Sequence, residues 1–178
     1  MQMSMKWRSS IQTLILLLGL TFSLPLLAQK NGIESGSYRV MLRSLLSHTV
    51  PETTVSAAQA AYHPTLFLDT RERYEFEVSH IQGARWVGYD DFDMDRLAGV
   101  PKDTRLIVYC SVGYRSEKIS ERLLAAGFTN VANLYGGIFE WKNQDQAVVD
   151  MQGRPTERVH AYSRTWGIWL KEGEKVYD

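Results

Sequence analysis

Cys110 is the residue of this chain best suited to covalent chemistry, and it is the one cysteine in the sequence. An apolar run at 105–109 precedes it and is typical of a buried strand. A helix-like run begins at Ser116, so Cys110 lies where a strand ends and a loop leads into a helix. Open α/β sheets place their active sites at such strand ends. We therefore predict that Cys110 is a nucleophile.

The loop after Cys110 contains features that stabilise an anion. A thiol attacks as the thiolate, which needs positive potential to form in quantity at neutral pH. The first N–H groups of a helix and the helix dipole supply such potential. Gly113 allows successive N–H groups to turn inward as a nest, and Arg115 adds a permanent charge. The same cradle would hold an oxyanion or an anionic persulfide above Cys110.

Four segments, in order along the chain, resemble segments of the rhodanese-like domain family. The loop from Cys110 to Ser116 reads C-S-V-G-Y-R-S and is similar to the active-site loop of that family. The others are similar to its first strand and turn, its His-Ile-x-Gly-Ala segment and its Gly-Gly-x-x-x-Trp segment, and they occupy 68–72, 79–84 and 134–141. The resemblance covers roughly residues 50 to 150 and implies a single α/β domain with a parallel central sheet and helices on both faces.

The resemblance implies a sulfurtransferase of the exported, single-domain type that uses thiosulfate. Cys110 would take sulfur from thiosulfate or a similar donor as a persulfide and pass it to cyanide or a thiol. No metal and no organic cofactor is implied. Four residues separate Cys110 from Arg115, as in sulfurtransferase members, whereas the related phosphatases have a longer loop. Two alternatives stay open: a non-catalytic module that binds a partner protein, and a cysteine-dependent phosphatase or oxyanion reductase.

The residues expected at the site form a catalytic, a substrate-binding and a supporting group. The catalytic residue is Cys110, the substrate-binding residues are Ser111, Val112, Gly113, Tyr114 and Arg115, and the supporting residues are Asp69, Arg71 and Ser116. Arg115 has two interpretations: it binds substrate, or its guanidinium ties the loop to a carboxylate such as Asp69. For Asp69 we expect a structural role, either in holding the loop or in capping the next helix.

Residues 1–28 have the features of an export signal. Lys6 and Arg8 precede an apolar stretch at 14–20, and Ala28 is a small residue suited to a cleavage site. The competing interpretation is an uncleaved membrane anchor, which usually needs about 20 apolar residues. We expect a periplasmic location in a Gram-negative source and secretion otherwise, with membrane contact only through the export signal.

The composition of the chain after removal of this signal argues against a nucleic-acid partner. Loss of Lys6 and Arg8 lowers Lys+Arg from 20 to 18, against 20 Asp+Glu. A mildly acidic chain does not match the basic patch that nucleic-acid binding requires. The expected partners are a small anionic sulfur donor and a cyanide or thiol acceptor, and a protein thiol is a further candidate. The remaining length, 178 minus 28 or 150 residues, suits one domain.

Alternating strand and helix patterns extend over the predicted domain at 50–150, after a lead-in at 29–49. The lead-in contains helical spacing at 38–47. Strands are predicted at 65–68, 84–87, 105–109 and 131–134, and helices at 71–76, 116–126 and 137–142. The acidic segment at 90–95 is predicted to be a solvated loop and helix start. This alternation indicates a parallel sheet with helices on both faces.

Residues 151–178 lie beyond these motifs and mix aromatic with basic side chains. The aromatic ones are Tyr162, Trp166, Trp169 and Tyr177. One interpretation is an extension over the mouth of the active site, or a docking surface for an acidic or thiol-bearing partner. The other is that the aromatic rings cover an apolar edge of the domain while the cations stay solvated. A turn at 171–175 predicts a terminal hairpin.

Overall fold

The structure is a computed structural model that describes residues 35–60 and 64–177. The predicted export signal at 1–28 and the first part of the lead-in, 29–34, lie outside the described residues. Within the two described segments, no helix has the length and apolar character needed to cross a membrane.

Five parallel strands form the central sheet, in the order β1-β5-β4-β2-β3. They are β1 (Glu52–Thr53), β2 (Thr65–Asp69), β3 (Arg85–Trp86), β4 (Arg105–Tyr109) and β5 (Val131–Leu134). Strand β4 lies at the centre, with Phe67 of β2 and Ala132 of β5 both opposite Ile107. The predicted α/β class with a parallel sheet is confirmed.

Helices cover both faces of the sheet. Alternate side chains of β4 belong to two different core clusters. The helices are α1 (Gly36–Leu45), α2 (Val55–Gln59), α3 (Arg73–Val78), α4 (Tyr114–Ala125) and α5 (Gly137–Asn143). Ile107 and Tyr109 belong to the core cluster that contains residues of α1, α2 and α5. Leu106 and Val108 belong to the second cluster, which contains residues of α4. The centre of β4 is therefore fully buried, and its carboxyl end opens at Cys110.

Two helices near the site differ from their predicted bounds by about two residues, for identifiable reasons. Helix α3 begins after Glu72, because Glu72 and Glu75 form a capping box at its first turn. Helix α4 begins at Tyr114 rather than Ser116, because Gly113 provides the left-handed N-cap conformation. The acidic segment leads into a short 3-10 helix, Met94–Leu97, capped by the side chain of Asp93.

The C-terminal part contains four short strands and a 3-10 helix. Strand β6 (Val148–Val149) pairs with β7 (Pro155–Thr156), and β8 (Arg158–His160) pairs with β9 (Glu174–Val176). The predicted terminal hairpin is wrong, because β8 and β9 are parallel and the 3-10 helix Trp166–Trp169 lies between them in the chain. Three aromatic side chains of this part pack on the core cluster that contains α1: Trp166, Trp169 and Tyr177.

Candidate active site

Cys110 follows directly after β4, and two backbone hydrogen bonds from α5 hold it there. The N–H of Ile138 donates to the carbonyl of Cys110 at 2.9 Å, and the N–H of Phe139 donates to that of Ser111 at 3.1 Å. Gly137 permits this approach, since a Cβ there would lie 2.6 Å from the carbonyl oxygen of Ser111. Helix α5, which begins at Gly137, therefore supports the nucleophile loop.

The thiol of Cys110 lies at the N-terminus of α4. The N–H of Gly113 donates to Sγ of Cys110 at 3.1 Å, and Gly113 is the N-cap of this 12-residue helix with φ of 119°. Since the first N–H groups of a helix have no acceptor within it, the sulfur occupies the positive end of the helix dipole. The carbonyl of Gly113 is fixed in turn by Oγ of Ser116 at 3.1 Å and Nδ2 of Asn133 at 3.0 Å.

Arg115 is bound by a carboxylate, and that carboxylate is Glu75. Nη1 and Nη2 of Arg115 donate to the two oxygens of Glu75 at 2.7 and 3.1 Å, and Nη2 also donates to Oγ of Ser111 at 3.0 Å. Oε1 of Glu72 lies 3.7 Å from Nη1. Of the two interpretations of Arg115, the structure shows the tie to a carboxylate, but the partner is Glu75 on the first turn of α3 and not Asp69, the example considered.

Burial and ion pairing shift the pKa of Glu75 in opposite directions, and they do the same to the pKa of Arg115. Burial raises the pKa of Glu75, but the hydrogen bonds and charge of Arg115 outweigh it and lower that pKa overall. For Arg115, burial opposes the charge, while hydrogen bonds to Glu75 and the negative charge of a Cys110 thiolate raise the pKa overall. Both side chains are therefore ionised at neutral pH.

Asp69 and Arg71 form a separate ion pair that supports the strand end. Nη2 of Arg71 lies 2.7 Å from Oδ2 of Asp69, and both side chains are fully buried. Arg71 also donates to the carbonyl of Ser79 at 2.6 Å, and its guanidinium lies 5.8 Å from the ring centroid of Tyr109. This pair joins β2 to the segment after α3 and has no side chain in the cavity above Cys110. Asp69 therefore pairs with Arg71, whereas the expectation was that it would hold the loop after Cys110 or cap the next helix, whose N-cap is Glu72.

A cavity of about 220 Å³ lies above Cys110. Cys110 itself is only 1% exposed, so a reagent reaches the sulfur through this cavity. The lining residues are Leu45, Cys110, Ser111, Val112, Tyr114, Arg115, Tyr162 and Trp166. Tyr162 and Trp166 come from the C-terminal extension, so that extension contributes to the active-site mouth as well as covering the core.

The arrangement suits attack by the sulfur on a small substrate held in the cavity above it. The sulfur accepts a backbone N–H hydrogen bond and lies at a helix N-terminus, and both features interact favourably with an anion at this position. Within residues 35–60 and 64–177, no group of three or more His, Cys, Asp or Glu side chains is placed to bind a metal ion.

Most of the predicted site residues are brought together, and three contributors were missed. The structure places Cys110, the loop 111–115 and Ser116 in one cluster, whereas Asp69 and Arg71 lie behind it. The missed residues are Glu75, Asn133 and Tyr38. The hydroxyl of Tyr38 donates to the carbonyl of Gly136 at 2.8 Å. No pattern in the sequence indicated that Glu75 would be the partner of Arg115, which lies 40 residues away.

Comparison with known proteins decides the family. Residues 53–144 match the model of the rhodanese-like domain, a section that is just over half of the 178-residue chain. The chain belongs to the rhodanese-like domain family. The matched section contains the Cys110 loop, the ion pair of Asp69 and Arg71, and Glu75.

Named relatives of this rhodanese-like chain are longer proteins. It is 39% identical over 120 residues to a tRNA uridine(34) hydroxylase of Pectobacterium atrosepticum, a match to 64% of this chain and 32% of that protein. The chain thus spans about a third of the length of the curated relatives it matches.

Solved structures share the fold. A thiosulfate sulfurtransferase of Pseudomonas aeruginosa is similar with a TM-score of 0.54 and 25% identity, over 75% of this chain and 26% of that one. A rhodanese-like domain from Anabaena is similar with a TM-score of 0.52 and 23% identity, over 72% and 89%.

Proposed function

We propose that this rhodanese-like protein is a sulfurtransferase that carries sulfur as a persulfide on Cys110. The observation that carries the proposal is the contact of 3.1 Å between the N–H of Gly113 and Sγ of Cys110 at the start of α4. This position favours a thiolate before the reaction and accommodates an anionic outer sulfur after it. The fold shared with a protein named thiosulfate sulfurtransferase supports the same chemistry.

In the first step, the Cys110 thiolate attacks the outer sulfur of a donor. With thiosulfate, a new S–S bond forms to Cys110 as the S–S bond of thiosulfate breaks, and its electron pair leaves with sulfite. The charge is conserved, because a thiolate and a dianion give a persulfide anion and a dianion. No oxidant and no proton transfer are required. The N–H of Gly113, at the start of α4, donates to the sulfur on which the persulfide forms.

In the second step, an acceptor nucleophile removes the outer sulfur. Cyanide attacks the terminal sulfur, the S–S bond breaks, and its electron pair returns to Cys110 as the thiolate while thiocyanate leaves. A thiolate acceptor reacts in the same way and leaves as a persulfide. The covalent intermediate divides one transfer into two easier ones.

Intact-protein mass spectrometry tests this proposal directly. We expect the full chain to gain about 32 Da, one sulfur, after treatment with thiosulfate or with a thiosulfonate, and to lose it on addition of cyanide. Because the sequence contains one cysteine, the adduct has a single thiol to occupy. Cys110→Ser is the control and should gain nothing. An unmodified wild-type thiol, shown to be free and reduced, would refute the persulfide and favour a module that binds a partner.

The loop length separates this proposal from the phosphatase and reductase alternatives. Four residues lie between Cys110 and Arg115, and the ring of N–H groups is correspondingly small. Hydrolysis of an aryl phosphate that depends on Cys110, without any persulfide, would overturn the assignment.

Uridine hydroxylation is the named activity of much longer relatives, and a tRNA substrate assayed beside thiosulfate would reveal it here.

We also propose that the chain is exported, on the pattern of residues 1–28. The mass of the protein recovered from a cell-envelope fraction tests this point. Loss of about 28 residues is expected if the signal is cleaved. A full-length chain confined to the cytosolic fraction would refute it.

A further inference from the structure

The cavity above Cys110 is walled by apolar and aromatic side chains that come from both ends of the described chain. Leu45 is the last residue of α1, and Tyr162 and Trp166 belong to the segment after β8. Together with Tyr114 and Val112 of the loop, they surround the nucleophile. Arg115 is the one basic residue among these lining residues, all of which lie in the described part of the chain.

The charge of Arg115 is already matched within the protein. Its guanidinium forms a fork with Glu75 and lies 3.7 Å from Glu72, so one positive charge faces two negative ones. A dianion that enters the cavity would therefore meet a cation that already donates three hydrogen bonds, to Glu75 and Ser111, and whose neighbours are acidic. The geometry favours a substrate with less charge and more apolar surface than thiosulfate.

Tyr162 is held over Arg115 in a conformation that costs free energy. Its φ is 63°, a left-handed value that costs a non-glycine residue roughly 1–2 kcal/mol. Its N–H donates to Nδ1 of His160 at 3.2 Å, which fixes the turn. The guanidinium of Arg115 lies 5.1 Å from the ring centroid of Tyr162, so the ring covers the cation on the cavity side. Strain of this kind is commonly kept where it serves a site.

The size of the cavity suits an aromatic group. An apolar cavity of about 150 Å³ is sufficient to bind benzene. The cavity above Cys110 is about 220 Å³ and so has room for a six-membered ring together with a small sulfur group. Trp166 and Tyr162 provide flat surfaces against which such a ring can pack.

We propose that the site selects organic sulfur compounds with a flat apolar group, and that Tyr162 and Trp166 determine this specificity. The sulfur-transfer step rests on the proposed function, whereas the binding preference does not. With an aryl thiosulfonate, the Cys110 thiolate forms an S–S bond to the terminal sulfur, the bond between that sulfur and the sulfonyl sulfur breaks, and the aryl sulfinate leaves with the electron pair. Charge and atoms balance without another reactant.

The turnover experiment compares benzenethiosulfonate with methanethiosulfonate, using the full chain and cyanide as the acceptor. The two donors have the same charge and the same reacting bond, and they differ in the ring. We expect kcat/KM to be at least about tenfold higher for the aryl donor, a discrimination that even one buried methylene group commonly provides. Equal kcat/KM values for the two donors would overturn the proposal.

Two variants assign the preference to the residues. Trp166→Ala removes the larger ring, and Tyr162→Asn removes the other with a residue that tolerates a left-handed backbone. Each should reduce kcat/KM for the aryl donor several-fold more than it reduces kcat/KM for the methyl donor. Ile168→Ala is the matched control, since Ile168 is exposed in the same 3-10 helix and does not line the cavity. Equal losses with both donors would contradict a role in specificity.

A binding measurement keeps this proposal separate from sulfur transfer. Benzenesulfinate and methanesulfinate, which cannot donate sulfane sulfur, are titrated against the wild-type protein and Trp166→Ala by NMR. Tighter binding of the aryl anion that requires Trp166 supports the proposal even if no persulfide forms on Cys110, in which case the proposed function alone fails. Equal binding of the two anions refutes the proposal even if both thiosulfonates react.

Discussion

Arg115 donates from both terminal nitrogens to the carboxylate of Glu75, at 2.7 and 3.1 Å, and thereby attaches the nucleophile loop to the first turn of α3. Glu75 is fully buried, and Oγ of Ser111 donates to it at 3.2 Å. Glu75 therefore holds the guanidinium of Arg115 in place. Glu75 itself does not line the cavity above Cys110 and so does not contact the substrate.

Replacing Glu75 by Gln should lower the free energy of unfolding by about 3 kcal/mol, because a buried charge loses its partner. Urea unfolding measures this change. Glu77→Gln is the control, since Glu77 pairs with Arg73 on the exposed side of the same helix and should contribute less than about 1 kcal/mol. Similar losses in the two variants would show that the Arg115 pair is no stronger than a surface pair.

Replacing Arg115 by Lys should affect activity through geometry. A lysine keeps the charge but cannot give the planar fork to Glu75 and reach Ser111 as well. We expect kcat/KM for sulfur transfer to fall about tenfold or more, since small displacements of a catalytic loop have effects of that size. Arg122→Lys, at the far end of α4, serves as the control. Unchanged kinetics would show that the positive charge alone is sufficient.

The position of the loop between a strand and a helix could be predicted because the patterns that mark these two elements are local in the sequence. Cys110, Gly113 and the start of α4 follow one another directly, and strand and helix patterns bound them on both sides. The sequence did not identify which carboxylate would hold Arg115, because Asp69 and Glu75 come close together in the chain, and the structure shows Glu75. Arg71, only two residues from Asp69, takes that carboxylate in four hydrogen bonds.

The C-terminal part was less predictable because its pairing is not local. The turn before Glu174 indicated a hairpin, yet β9 pairs with β8 in parallel, across a 3-10 helix. Spacing alone did not distinguish between aromatic rings that cover the core and rings that line the mouth. Trp166 contributes to both, whereas Tyr162 stays 47% exposed over Arg115.

Gly137→Ala should disrupt the site through the backbone of the loop. The new Cβ would meet the carbonyl oxygens of Cys110 and Ser111, the latter at 2.6 Å, at a residue whose φ is 59°. We expect the free energy of unfolding to fall by about 3 kcal/mol from strain and overpacking together. Gly127→Ala is the matched control, because Gly127 has φ of 90° and open space at the Cβ position. It should cost about 1–2 kcal/mol from strain alone. Equal costs would show that the loop moves away easily.

Glu75 and Glu72 should have opposite effects on how the free energy of unfolding changes as the pH is lowered. Burial raises the pKa of Glu75, but Arg115 outweighs it and lowers the pKa below its ordinary value of 4.5. The unfolded chain then binds more protons than the folded one near and below pH 4.5, so stability falls as the pH falls through that window. For Glu72, burial raises the pKa and Arg115 offsets only part of that effect. The folded chain then binds more protons near and above pH 4.5, and the contribution of Glu72 rises as the pH falls.

Urea unfolding between pH 3 and 7, about the range in which carboxylates titrate, measures both contributions. Compared with wild type, Glu75→Gln should show a shallower loss of stability on acidification, because it lacks the proton uptake on unfolding. Glu72→Gln should show a steeper loss, because it lacks the opposing contribution. Both variants replace a carboxylate near Arg115 by an amide. The difference between their slopes of unfolding free energy against pH therefore reports the direction of the two pKa shifts. Parallel profiles for the two variants would contradict both assignments.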